Sequence, residues 1–317
     1  MKYFKPIHEN SAHKEERVVV MKLNESKTIA VTGASGLQGS SVTRHLLREG
    51  WQVRALTRNP ESDKAKRLAT LGAEILRVDM DDPASLDPAF EGAYGVFSVQ
   101  NPMTSGMEGE IRQGKNVADA AKRQNIQHLV YASAGIGIRG TNIPSWESKL
   151  IIEDHIKSLG LPVTIFRPMA FMELMTEQKF FPAVSTWHIM PKLMGSSQKV
   201  FWLSTEDLGI IAAKAFANPD EYIGKDLKLA SDVKSIDDCQ AIYREVMGKN
   251  PPRFPMPVWM FDRFGFVGKD LGTMWRWLHT ANLNADTKST CAIHPGALTV
   301  RDWLEKYNTG EIKVYSS

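Results

Sequence analysis

The spacing of apolar and polar positions changes repeatedly along the chain, and each change marks an element. Ile29, Ala30 and Val31 form a short uncharged run, which suits a strand buried on both faces of a parallel sheet. Ser40 to Glu49 takes a helical period, with Val42, Leu46 and Leu47 on one face. Trp51 to Leu56 alternates as a second strand, Lys64 to Leu71 is a short helix closed by Gly72, and Glu74 to Val78 is a third strand. A helix over Ser85 to Phe90 and a strand over Ala93 to Val99 follow. Glu108 to Asn125 is a longer helix with Ile111, Val117, Ala118 and Ala121 inside. Gln127 to Ser133, Ser145 to Leu159 and Val163 to Phe166 continue as strand, helix and strand. Alternation at this spacing predicts an α/β fold with a doubly wound parallel sheet. Ligands in such a sheet sit at the carboxyl ends of the strands.

The alternation stops after Phe171. Met169, Phe171, Met172, Leu174, Met175, Phe180, Phe181, Trp187, Met190 and Met194 crowd into one stretch, which reads either as an adaptable apolar pocket wall or as ordinary core. Lys199 to Leu203 is a strand, and Ser204 or Thr205 caps a helix that runs to Ala217. Asp226 to Ala230 is a further strand, and Ser235 to Met247 is helical. The aromatic segment from Val258 to His279 reads as helices that cover a pocket or form a homodimer contact, or as plain core packing, and Leu298 to Tyr307 as a terminal helix capped by Thr299. Met1 to Ser26 shows no period and reads as an arm, mobile or packed on a neighbouring subunit.

Composition narrows the class. A chain of 317 residues with 43% hydrophobic and 24% charged positions is long enough for a sizeable core in one large or two unequal domains. The net charge of +3 is spread without a dense basic stripe, so nucleic acid is not indicated as a partner. Cys239 and Cys291 alone are too few for a disulfide framework or a paired-cysteine metal site, which suits a reducing cytoplasm. No apolar run approaches the roughly 20 residues of a membrane span.

The candidate chemistry begins between the first strand and helix. Gly33, Gly36 and Gly39 recur every third residue, with Ser35, Leu37 and Gln38 among them. A strand, a glycine turn and a helix in that order bring backbone close to a pyrophosphate at the positive end of the helix. At the end of the second strand, where an acid would hydrogen-bond the ribose of NAD, stands Arg58. A guanidinium there can pair with the 2′-phosphate of NADP, or it can simply be solvated; Lys64 and Lys66 would add positive potential. Asp79 and Met80 are placed to flank the adenine, and Gln100 ends the fourth strand beside the cofactor path. Ser133 ends the fifth strand. Lys149 shares a helix face with Ile152, Ile156 and Leu159. A lysine on an inner face needs a task or a partner: it holds the nicotinamide ribose and tunes a proton donor, or it pairs with Glu153 or reaches out to water.

The segments VTGASGLQGSSV, VRALTRNP, EIRQGKNVADAAKRQNIQHLVYAS, ESKLIIEDHI, LPVTIFRPMAF and FWLSTEDLGIIAAKAF resemble the NmrA-like atypical short-chain dehydrogenases and their isoflavone reductase-like relatives, roughly over residues 27 to 230. The resemblance implies a Rossmann domain over 27–170 that prefers NADP(H), and a smaller α+β substrate domain over 171–317, with 199–217 returning to the Rossmann part. It implies that Lys149 is the active-site lysine, with Ser133 near the usual catalytic hydroxyl, and that Met169 and Phe171 join the cofactor-binding residues. The catalytic members carry a tyrosine four residues before that lysine, where this chain has Ser145. Two functions follow: an NADPH-dependent reductase of a small, apolar, electron-poor acceptor, or a non-catalytic NADP(H) sensor that binds a protein partner.

Overall fold

The computed structural model describes residues 24, 26–176, 185–252, 256–281, 283 and 285–312. The first part alternates β1 (Thr28–Val31), α1 (Leu37–Arg48), β2 (Gln52–Thr57), α2 (Asp63–Thr70), β3 (Glu74–Arg77), α3 (Pro83–Phe90), β4 (Gly95–Ser98), α4 (Pro102–Arg123), β5 (His128–Ala132), α5 (Pro144–Ser158) and β6 (Val163–Pro168). With β9 (Asp226–Leu229), these strands form a seven-stranded sheet in the order β3-β2-β1-β4-β5-β6-β9. Every neighbouring pair in it is parallel. This is the doubly wound Rossmann sheet that the alternation predicts.

The strand sequences alternate between two cores. Ile29, Val31, Val130 and Ala132 join Val42 and Leu46 of α1 on one face. Ala30, Leu129 and Tyr131 join Leu86, Val117 and Ile152 on the other. Both faces are therefore covered, as a parallel sheet requires. The long helix α4 starts earlier than its apolar period suggests. The Asn101 side chain accepts the Met103 N–H, Pro102 opens the helix, and the first turn breaks from the rest at Gly106, where φ is 69°. Asp82 caps α3 just ahead of Pro83.

The second part contains β7 (Ala170–Phe171), a 3-10 turn at Met172–Met175, a π turn at Ser185–Ile189, α6 (Met190–Met194), β8 (Lys199–Leu203), α7 (Thr205–Ala217), α8 (Pro219–Tyr222), β10 (Asp232–Ser235), α9 (Ile236–Met247), α10 (Val258–Phe261), α11 (Gly265–Thr280), α12 (Lys288–Ile293) and α13 (Val300–Thr309). A three-stranded sheet in the order β10-β8-β7 and a separate core around Trp202, Trp275 and Trp303 hold it together. One expectation needs correction. Of the stretch 199–217, only the helix α7 returns to the Rossmann part, packing so closely on α1 that a Cβ at Gly209 would meet the Ser41 carbonyl oxygen at 2.8 Å. The strand β8 pairs with β10 and β7 instead, because β9 occupies the sheet edge beside β6. The N-terminal arm lies outside the described residues except for Asn24 and Ser26; Asn24 is buried and donates to the Glu49 carbonyl.

Candidate active site

One cavity of about 1160 Å³ runs across the carboxyl ends of β1, β2, β3, β4, β5 and β6 and under α11. Its wall includes Gly33, Ser35, Gly36, Leu37, Gln38, Gly39, Arg58, Asp79, Met80, Gln100, Ser133, Lys149, Met169 and Phe171, so the structure brings these candidate residues of the sequence together.

The β1–α1 turn closes one end. Gly33 takes φ +57°, which favours glycine, while Gly36 sits at the start of α1 in extended conformation with no side chain to cap it. The positive end of α1 is thus open to the cavity. Gly39 lies in the first helical turn against the backbone of Gly33 and Ala34. Thr32 ties the end of β1 to β4, accepting the Val99 N–H at 2.8 Å. Two amide oxygens on this wall, Gln38 Oε1 and Gln100 Oε1, are buried with no hydrogen-bond partner among the described residues. Buried acceptors of this kind need a donor, and a ligand in the cavity would supply one.

At the ends of β2 and β3, the exposed Arg58 guanidinium has no hydrogen bond or ion pair among the described residues, and Lys64 shares its wall. Lys66 does not: it pairs with Glu61 on the surface. The backbone after β3 is held firmly. Asp79 Oδ1 accepts the Asp81 N–H, and Asn116 donates to the Met80 carbonyl at 2.9 Å. Asp81 accepts from Gln113 and Arg112, and these contacts hold its carboxyl below the usual range.

The helix α5 supplies the polar centre. Lys149 is 6% exposed, and its ammonium donates to Glu110 Oε1 at 2.9 Å and to the Ala132 carbonyl at 3.3 Å. Its ion-pair partner is therefore Glu110 of α4 and not Glu153. Glu110 is fully buried and also accepts the Ser148 hydroxyl. Glu153 is taken by Arg167, which bridges it to Asp226, and by Ser133, whose hydroxyl donates to Glu153 Oε1 at 2.5 Å. That contact commits the Ser133 proton. Behind Lys149, the Tyr131 phenol is fully buried with no hydrogen-bond partner among the described residues, and burial pushes its pKa well above the ordinary value. One turn before Lys149, Ser145 donates to Asp270 of α11 through both its backbone N–H (2.7 Å) and its hydroxyl (2.9 Å).

Apolar side chains close the other end: Met169, Phe171 and Leu174 from the chain after β6, with Trp146, Met274 and Trp275 opposite. Trp146 meets Trp277 edge-on at 5.4 Å. The methionine-rich stretch is therefore divided. Met172, Met175 and Trp187 are core of the second part, Met190 and Met194 belong to that core and also reach the cavity, and Phe180 and Phe181 lie outside the described residues.

Sequence reasoning missed Glu110, Arg167 and Asp270, and named Glu153 only as a partner of Lys149, where Arg167 takes it. A signal existed for Glu110, which falls on the helical stripe of Gln113, Gly114, Val117 and Ala121 that α4 buries. An acid on a buried stripe implies a cation opposite it. Nothing local marks Asp270, which meets Ser145 across 125 residues. Among the described residues, no cluster of His, Cys, Asp and Glu could hold a metal, and no helix is long and apolar enough to cross a membrane.

The model of the NmrA-like family matches residues 25–309 of the chain. An NmrA-like family domain-containing oxidoreductase of Aspergillus flavus, lnaB, is 30% identical over 268 residues, which span 76% of this chain and 80% of the relative. Among solved structures, the Citrobacter sp. triphenylmethane reductase complexed with NADP(H) superposes with a TM-score of 0.72 at 22% identity, covering 89% of this chain and 99% of its own. The negative transcriptional regulator NmrA in complex with NADP superposes with a TM-score of 0.71 at 21% identity, covering 90% and 97%.

Proposed function

The chain belongs to the NmrA-like family, and from that premise we propose that it is an NADPH-dependent reductase of a small, apolar, electron-poor acceptor, such as a quinone, a dye or a conjugated double bond. The observation that carries this reading is the continuity of one cavity, from an open helix N-terminus, past an unpaired guanidinium, to a wall of methionine and aromatic side chains. Curated relatives that carry the name oxidoreductase support the same reading.

The residues present fit the dinucleotide. The turn from Gly33 to Gly39, with Ser35, Leu37 and Gln38, would hold the pyrophosphate at the start of α1. The unpartnered amide oxygens of Gln38 and Gln100 would accept from its hydroxyl or amide groups. Asp79 and Met80 would flank the adenine, and Met169 and Phe171 would border the nicotinamide. When bound, NADPH supplies the hydride; the protein orients it against the acceptor and keeps water out. Lys149 has two of its three N–H donors engaged, which leaves one for a ribose hydroxyl. It serves as a holder and not as the proton source, because giving up its proton would strand a buried Glu110 carboxylate without its cation. Ser133, with its proton committed to Glu153, is left to accept from a ligand hydroxyl.

Arg58 sets the choice between the two dinucleotides. Arg58→Asp is expected to weaken NADPH binding by about tenfold to hundredfold, the worth of a charge-assisted contact of roughly 1.5–3 kcal/mol, and to leave NADH within a few-fold. Titration of both cofactors by fluorescence checks it, and equal losses for both would remove Arg58 from the phosphate site.

The reductase reading is tested by following NADPH oxidation optically against quinones, dyes and enones, with NADH alongside. Turnover with one acceptor class, faster with NADPH, is the expected result. Tight NADPH binding with no oxidation across the panel would overturn it in favour of a sensor. The exposed Trp259 and Phe264, at 61% and 54%, favour that second reading as a partner surface.

A further inference from the structure

We propose that Ser145 and Asp270 form the proton relay of this site, passing a proton from the second part of the chain to an acceptor that becomes anionic on reduction. The inference rests on the reductase reading and deepens it by naming the acceptor class: neutral, carbonyl-conjugated compounds such as quinones and enones.

The geometry singles out this pair. Asp270 is fully buried on the cavity side of α11, and its carboxylate contacts Ser145 twice; Ser145 is 8% exposed. Both residues line the cavity beside Lys149 and Trp146. Ser133 is committed to Glu153, and Ser148 and Lys149 to Glu110, while the Thr186 hydroxyl on the same wall has no hydrogen-bond partner among the described residues and so no carboxyl to resupply its proton. The Tyr131 phenol lies in the core behind the sheet and is absent from the cavity wall. Among the described residues, Asp270 is the carboxyl of this end of the wall that no cation pairs. Its surroundings hold a proton well: burial raises its pKa to about 6, and the Glu110 charge adds to this against the lowering effect of the two Ser145 contacts.

The charged groups around it are few. From α4 comes Glu110, and from α5 comes Lys149, which Glu110 neutralises. α6, packed along α11, contributes Lys192, which is exposed and bonded to His188. On α11 itself, Lys269 is exposed and Arg276 pairs with Asp262.

Hydride from NADPH adds to the conjugated acceptor and leaves negative charge on its oxygen. With Asp270 protonated, its carboxyl donates to Ser145 Oγ across the 2.9 Å contact, and the Ser145 hydroxyl, which donates to the ionised carboxylate, is free to turn to the acceptor; the acceptor oxygen takes the Ser145 proton while Oγ takes that of Asp270. Asp270 is left ionised and regains a proton from water. A cationic dye, by contrast, becomes neutral on accepting hydride and needs no proton. The protonated carboxyl is present below about pH 6 and is lost above it. The kcat/KM for a neutral acceptor should therefore fall roughly tenfold per pH unit above that point.

The test is the pH profile of kcat/KM for wild type, Asp270→Asn, Asp270→Glu and Ser145→Ala, with a quinone, an enone and a cationic triarylmethyl dye, together with NADPH affinity and thermal melting of each variant. The expected result has three parts. Wild type shows the falling limb with neutral acceptors and not with the dye. Asp270→Asn and Ser145→Ala lower the acidic plateau about 10²-fold or more and flatten the limb, with NADPH affinity kept. Asp270→Glu restores the limb. Should Asp270→Asn fail to fold, Ser145→Ala removes only the hydroxyl and decides alone. An unchanged profile and rate in the variants would overturn the relay while the reductase reading stands. Wild type that binds NADPH and reduces nothing would overturn both. A helix cap with no role in proton transfer would lower the melting temperature and leave the profile where it was.

Discussion

Gly39→Ala is expected to abolish NADPH binding, raising Kd by more than about 10²-fold, while the sheet stays folded. A Cβ at this position would lie 2.3 Å from the Gly33 carbonyl oxygen, 2.7 Å from its carbonyl carbon and 2.8 Å from the Ala34 Cα. All three are backbone atoms, so no rotamer relieves the overlap. The β1–α1 turn has to open, and this is the turn that presents the helix N-terminus to the cavity. Overpacking of this kind costs about 1–3 kcal/mol in stability, and the rest of the effect appears as lost binding. The neighbouring glycines give a graded comparison. Gly33→Ala imposes φ +57° on a residue with a Cβ, a cost of roughly 1–2 kcal/mol. Gly36→Ala has an ordinary φ of −86° and meets only the Gly33 carbonyl, at 3.2 Å. Stability should therefore rank Gly36→Ala above Gly33→Ala, and both above Gly39→Ala, in urea unfolding. A Gly39→Ala protein that binds NADPH like wild type would show that the turn is not where the cofactor sits.

That ranking depends on a structure, but the turn itself was legible in the sequence, and the reason is local. A strand, a glycine-rich turn and a helix are formed by residues near one another in the chain, so their order and spacing carry the geometry. The same holds for Arg58 at the end of β2 and for the buried face of Lys149 on α5. What failed to show is what the chain makes from distant parts. Lys149 finds its counter-ion on α4, 39 residues away, although Glu153 lies one turn along its own helix. Glu153 is unavailable because Arg167, from the end of β6, takes it on both oxygens. The strand Lys199–Leu203 has the composition of a sheet strand, but pattern alone does not say which sheet, and β9 fills the edge beside β6. Met169 and Met172 are indistinguishable by residue type. The short pairing of β7 with β8 leaves the first at the cavity and the second in the core.

The buried pair makes the heaviest demand on stability. Glu110→Leu is expected to destabilise the protein by about 3 kcal/mol, at the low end of the roughly 3–5 kcal/mol seen when one partner of a buried ion pair is removed. The low end applies because Lys149 lines the cavity and can recruit water once its partner is gone. Lys149→Met should cost at least as much, since Glu110 is fully buried, bonded also to Ser148, and has no comparable access to solvent. The double variant Glu110→Leu with Lys149→Met removes both charges and keeps the volume filled. It is expected to recover most of the loss, because replacing a whole buried pair with apolar groups is often close to neutral. Urea unfolding of the four proteins measures the coupling directly. A coupling energy near zero would show that the two groups do not depend on each other. A strong coupling, with the double variant stable but unable to hold NADPH, would place the pair in function: a charge kept at the cavity wall by a carboxylate that the fold alone does not need.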